Sequence, residues 1–312
     1  MSFESCCGII DGMTERDALP VVQPRLHGVP EAPFLRLSSL WIQITGTWCN
    51  LACTHCINAS GPKDPWLKPL DAETARQAIR TAETLGVKDI YFTGGEPFLH
   101  KEILSLLAFS LRVAPTTVLT NGTMINEAVA DALVALAAGA PYSLEIRVSI
   151  DEVEREANDR VRGAGAWAKA VRAVRLLDAR GLLPIVTATE ILLEQSGTAG
   201  NGIYQRFRDF LAGAGIEKPR VKIMPILPVG RMARPGGQCL TDEQLEGFDR
   251  SLLQCSETRV VADGGVYACP ILAGLPGARL STGSLEASFR PAPLYHSACV
   301  TCHTTGMSCR NY

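Results

Sequence analysis

Short apolar runs alternate with longer amphipathic stretches through the first three quarters of the chain. Residues 40–45 (LWIQIT), 87–93 (VKDIYFT), 116–120 (TTVLT), 143–150 (SLEIRVSI), 183–189 (LPIVTAT) and 220–226 (RVKIMPI) are rich in β-branched and aromatic residues. Runs of this length and composition are read as strands. Between them lie segments with helical spacing at 70–85, 101–113, 126–138, 166–180 and 203–212. The first opens on Asp71-Ala-Glu-Thr and stops at Gly86; the fourth stops at Gly181. A capping side chain at the start and a glycine at the end are the expected helix limits.

Six strand-then-helix units predict a parallel α/β architecture, in which the loops after the strands carry the chemistry. The pattern stops after residue 227. There follow a loop (LPVGRMARPGG), a helix predicted over Thr241–Gln254, and a hairpin over Thr258–Ala268 with an Asp-Gly-Gly turn. The last 40 or so residues are rich in Pro, Gly and Cys, a segment with little core that a metal can hold together. The expected organisation is an irregular arm over 1–36, a core over 37–230 and a small C-terminal subdomain over 231–312.

Composition changes this picture little. The 312 residues are 46% hydrophobic and 20% charged, with a formal net charge of −2. These values are ordinary for a globular protein and give no basic field for nucleic acid. No apolar run is long enough to span a bilayer, and the start (MSFESCCGIIDGM) has no basic n-region. Neither a membrane nor a nucleic acid is an expected partner, and the expected location is the cytoplasm.

Cysteine changes it considerably. There are 11 cysteines, and none between residues 57 and 238. In a reducing compartment, clustered cysteines point to metal or catalysis rather than to disulfides. Cys49, Cys53 and Cys56 form a tight group directly after the first strand; Cys239, Cys255, Cys269, Cys299, Cys302 and Cys309 crowd the end. Two metal sites are the reading. Three thiolates on a four-iron cluster leave one iron open, and an open position is where a small molecule binds and reacts.

The C-x3-C-x2-C loop after the first strand resembles that of the radical S-adenosylmethionine (SAM) superfamily. Further motifs follow successive strands: Gly94-Gly95-Glu96-Pro97, then Thr120-Asn121-Gly122, then Ser149-Ile-Asp151. The order resembles the family's GGE, TNG and S-x-D segments. The resemblance covers roughly residues 40–226 and implies a partial (β/α)6 TIM-like barrel. It implies a catalytic 4Fe–4S cluster on Cys49, Cys53 and Cys56, whose open iron binds SAM. Electron transfer then gives a 5′-deoxyadenosyl radical that abstracts hydrogen from a substrate. His55 stands where the family usually has an aromatic residue near the adenine. Gly94, Gly95 and Glu96 match the segment that contacts the methionyl amino group. Asn121, Ser149, Asp151 and Glu190 are further candidate SAM contacts at strand ends.

Cys255 and Cys269 flank the hairpin, and Cys299-Val-Thr-Cys302 follows after a gap. Spacing alone does not separate an iron–sulfur cluster from a zinc ion held by four cysteines. The surrounding sequence resembles the SPASM or twitch extensions of radical SAM enzymes, which implies one auxiliary 4Fe–4S cluster on Cys255, Cys269, Cys299 and Cys302. Cys309 is a fifth candidate. Cys239 is a small core residue or a hydrogen-atom donor; Cys6 and Cys7 are read as inert.

The resemblance implies an oxidoreductase or maturase fed by an external reductant such as flavodoxin or ferredoxin. The expected substrate is a small molecule of the sugar or aminocyclitol kind, oxidised or epimerised, or a short ribosomal peptide that is modified. Two competing readings from other classes are an electron carrier with no catalysis of its own and a zinc-stabilised binding module.

Overall fold

The computed structural model describes residues 28–63, 65–190, 201–234 and 237–310. Cys6, Cys7 and His27 lie outside the described residues. A short strand, β1 (Glu31–Ala32), precedes the sequence of strands and helices β2 (Ser39–Gln43), α1 (Ala72–Thr84), β3 (Asp89–Thr93), α2 (Ile103–Ser110), β4 (Thr116–Thr120), α3 (Glu127–Ala138) and β5 (Leu144–Ser149). Then come α4 (Arg155–Arg162), α5 (Ala166–Asp178), β6 (Ile185–Thr189), α6 (Asn201–Gly213) and β7 (Arg220–Met224). Beyond residue 227 lie β8 (Thr258–Ala262), β9 (Gly265–Tyr267), β10 (Arg279–Ser281), β11 (Ala292–Pro293) and α7 (Ser297–Thr305).

Strands β2 to β7 pair in parallel in chain order, as the alternation predicts and as the partial (β/α)6 barrel implied by the resemblance requires. Local chemistry sets the helix limits. Asp71 caps α1 by accepting from the Thr74 amide at 2.8 Å, and Gly86 ends it at φ +67. Asn126 caps α3 by accepting from the Val129 amide.

Alternate strand residues face opposite sides. On one side Leu40, Ile42, Phe92, Val118, Ile146 and Val148 pack under the helices. On the other, Trp41 stacks on Tyr91 with ring centroids 4.2 Å apart. This inner pair packs with Val260, Tyr267 and Leu272 of the C-terminal extension. The extension therefore fills the concave side of the barrel, while the helices cover the outside.

One expectation about the extension is corrected. Thr241–Gln254 is not a helix. Thr241 and Gln244 cap each other as a helix start would, but turns follow, Gly247 has φ +72, and only a 3-10 turn forms at Arg250–Leu252. A glycine in the left-handed region breaks the i→i−4 ladder there. The hairpin β8–β9 is present as expected. β8 pairs in parallel with β2, so one nine-stranded sheet runs through core and extension. The arm meets the extension in a separate two-stranded sheet, where β1 pairs antiparallel with β11. Among the described residues no helix is long and apolar enough to cross a membrane.

Candidate active site

The loop after β2 carries Cys49, Cys53 and Cys56. All three border one cavity, which is also lined by His55, Gly94, Gly95, Asn121, Ser149 and Arg162. The loop is stitched into place by its backbone. The Cys49 amide donates to the Gly61 carbonyl at 3.0 Å, and the Thr54 amide donates to the Val161 carbonyl at 2.9 Å. Donors also reach the sulfurs: the Leu51 amide to Cys49 at 3.4 Å, the Ser60 amide to Cys56 at 3.2 Å and the Asn121 side-chain amide to Cys49 at 3.6 Å. N–H donors of this kind stabilise thiolate over thiol.

Burial works in the opposite direction. It pushes the Cys49 thiol up to about 12 and raises Cys53 as well, because a buried thiolate is poorly solvated. The loop thus gathers thiols that a bound metal cation would ionise. Among the described residues, no three His, Cys, Asp or Glu side chains are gathered as a single-ion site.

Gly94 and Gly95 follow β3 and press against the cysteine strand. A Cβ on Gly95 would lie 2.1 Å from the Trp48 carbonyl oxygen, and one on Gly94 2.2 Å from Thr45 Oγ1. Contacts that short do not occur, so the two loops meet only because these residues are glycines. Gly95→Ala is expected to lower the thermal midpoint and reduce the iron taken up on reconstitution. A variant with wild-type iron content would contradict this account.

Glu96 is fully buried and does not line the cavity. Its carboxylate accepts from the Phe98 amide, from Thr120 Oγ1 at 2.7 Å and from the Asn121 amide at 2.8 Å. It ties the loop after β3 to the loop after β4. Burial without a cationic partner pushes its carboxyl up to about 7.

Asp151 also faces inward. Its Oδ1 accepts from the Thr189 amide at 2.9 Å, and its Oδ2 lies 2.6 Å from Arg162 Nε and 3.2 Å from His55 Nε2. Burial alone would raise the Asp151 carboxyl, but Arg162 and His55 beside it hold it below the usual range. Burial lowers His55 to about 4 despite that carboxylate, so the ring is neutral near pH 7. Ser149 lines the cavity. Glu190 does not; its amide donates to the Met224 carbonyl, extending the β6–β7 ladder.

Three neighbours of the cysteine loop escaped the sequence reading. Arg162 ends α4, a helix too polar (REANDRVR) to show a hydrophobic stripe. Arg231 and Met232 follow β7, where the only signal was a glycine before an arginine in a loop. Met232 and Met224 line the cavity, and Arg231 grips the back of the cysteine loop.

The five late cysteines also converge. Cys255 precedes β8, Cys269 follows β9, and Cys299 and Cys302 lie one turn apart on α7. Cys302 lies close enough to Cys309, Cys269, Cys299 and Cys255 for charge on each to oppose its ionisation. Burial pushes Cys255 up to about 11 and Cys299 up to about 12. Cys309 is anchored separately. Its amide donates to Gln254 Oε1 at 2.6 Å, and its carbonyl accepts from the buried Arg147 at 2.6 Å. Cys239 does not line the cavity; its Sγ lies 2.8 Å from the Tyr295 carbonyl oxygen. The histidines have local partners: His296 caps α7, and His303 meets Phe248 edge-on at 4.5 Å.

Comparison with known proteins agrees with this geometry. The radical SAM superfamily model matches residues 44–194. Mycofactocin maturase MftC of Mycobacterium ulcerans is 28% identical over 284 residues, covering 79% of this chain and 73% of its own length. PqqA peptide cyclase of Granulibacter bethesdensis is 32% identical over 145 residues, covering 43% of this chain and 35% of its own. The solved structure of native anSMEcpe with bound AdoMet has the same fold at a TM-score of 0.59, with 18% identity and 80% of each chain covered. The cysteine loop and the strand-end loops around it thus lie inside the matched segment, and the chain is an enzyme of the radical SAM superfamily.

Proposed function

We propose that Cys49, Cys53 and Cys56 hold a 4Fe–4S cluster, and that SAM binds at its open iron within the cavity bordered by His55, Gly94, Gly95, Asn121 and Ser149. The observation that carries this reading is the C-x3-C-x2-C loop, whose three cysteines border one cavity pressed against a glycine pair. When bound, these groups supply reductive cleavage of SAM and abstraction of a carbon-bound hydrogen from substrate. The protein's own residues position and enclose. The amides of Leu51 and Ser60 and the Asn121 side chain point donors at the sulfurs, Glu96 locks two loops together, and Arg162 with Asp151 fixes the His55 ring.

The convergence of Cys255, Cys269, Cys299, Cys302 and Cys309 supports one auxiliary 4Fe–4S cluster in the extension. Residues 37–230 then form the SAM-cleaving core, 231–312 the auxiliary-cluster subdomain and 1–36 an arm. The substrate is a short peptide made on the ribosome or a small molecule. Similarity to a peptide cyclase supports the peptide. An external flavodoxin or ferredoxin in the cytoplasm supplies electrons.

The test is iron and sulfide content after anaerobic reconstitution, followed by SAM and dithionite with assay for 5′-deoxyadenosine. About eight irons with 5′-deoxyadenosine is the expected result. Intact clusters without 5′-deoxyadenosine, in the presence of candidate peptides, would refute the reading. Cys255→Ala with Cys269→Ala is expected to lower iron by about four per chain and leave 5′-deoxyadenosine formation measurable. Unchanged iron would refute the auxiliary site.

A further inference from the structure

We infer that Arg231 is a positioning residue for the cysteine loop, and that its charge raises the reduction potential of the cluster held there. The inference rests on the proposed cluster at Cys49, Cys53 and Cys56. Arg231 lies in the 3-10 turn Gly230–Met232, in the segment that leads from β7 into the extension. Its Nη1 donates to the Cys53 carbonyl at 2.9 Å; its Nη2 donates to the Ala59 and Ser60 carbonyls at 2.9 and 2.7 Å. Its amide donates to the Cys56 carbonyl at 3.0 Å. One residue thus collects four carbonyls from residues 53–60, the part of the loop that bears two of the three sulfurs.

The approach is too close for any side chain at the preceding position. A Cβ on Gly230, whose φ is +60, would lie 2.3 Å from the Cys56 carbonyl oxygen. The forked guanidinium suits this task, since five fixed N–H donors can serve several carbonyls at once.

Charge separates Arg231 from the other arginine at the loop. Arg162 is paired with the buried Asp151 at 2.6 Å, so its field is largely cancelled. Arg231 donates to carbonyls and, among the described residues, to no carboxylate. Carbonyl dipoles solvate a cation without neutralising it. A net positive charge therefore sits behind Cys53 and Cys56. Reduction adds an electron to the cluster, and a nearby cation stabilises the more negative state; net charge is one of the factors that sets such potentials. Arg231 is exposed, so water screens the effect and keeps it moderate.

The experiment is an EPR-monitored redox titration of the reconstituted full chain, following the signal that changes on adding SAM. Arg231→Met is expected to shift the reduced-to-oxidised ratio about tenfold toward oxidised at a fixed potential, a fall of about 59 mV for one electron. Arg231→Lys keeps the charge and is expected to stay within about twofold of wild type. If Arg231→Met takes up no iron, Arg231→Gln, which retains N–H donors, is read in its place. A neutral variant that titrates with the wild type overturns the inference. Absence of any SAM-sensitive signal in the wild type would instead overturn the cluster assignment, whatever the variants do.

Discussion

The variant Cys49→Ala/Cys53→Ala/Cys56→Ala is expected to lose about four irons per chain and all formation of 5′-deoxyadenosine. The two losses arise together because no other group replaces the three sulfurs in the cavity. Iron in the extension should be retained, since Cys255, Cys269, Cys299 and Cys302 are held by β8, β9 and α7 rather than by the cysteine loop. The folded structure should also survive. The loop is held by backbone hydrogen bonds such as Cys49 to Gly61 and Thr54 to Val161, which alanine keeps. Circular dichroism alongside iron analysis separates loss of the site from loss of the fold. Persistent SAM cleavage in this variant would refute the assignment.

Arg162→Met is expected to give the largest loss of stability, about 3–5 kcal/mol, because it leaves Asp151 buried without its cation. The measurement is the denaturant midpoint against wild type. The double variant Arg162→Met/Asp151→Asn is expected to recover part of the loss, since a buried charge rather than a missing contact causes it. The pH dependence has a definite sign. In the wild type the Asp151 carboxyl is held below its ordinary range, so the pair stabilises above about pH 4 and fades as pH falls through the lowered value. The gap between wild type and variant should therefore narrow in acid. A gap that widens below about pH 4 would contradict the pairing.

The barrel was legible because its strands obey a simple rule. Trp41 and Tyr91 face inward while Leu40, Ile42 and Phe92 face the helices, so both faces are apolar and each strand stands out as a short apolar run. The cysteine loop was legible because its three cysteines are close in sequence. What escaped depends on distant parts of the chain. Nothing near Arg162 says that its partner is Asp151, and nothing near Arg231 says that it reaches Cys53. Asp151 and Glu96 sit on the expected loops, yet both turn inward to brace them, because a strand-end carboxylate has backbone amides within reach on either side. In the Thr241–Gln254 segment a correct capping signal was outweighed by one glycine.

The pairing of β8 with β2 bears on how the chain is made. Ser39 lies beside Thr258, about 220 residues further along. At synthesis rates of about 5–20 residues per second, β2 waits some 10–40 s for its neighbour to leave the ribosome. During that time one edge of β2 carries unpaired backbone groups and an apolar row, a surface on which nascent chains aggregate. The same exposure is expected in a chain shortened to residue 230. The yield of native protein in a cell then depends on how well that edge is shielded during translation.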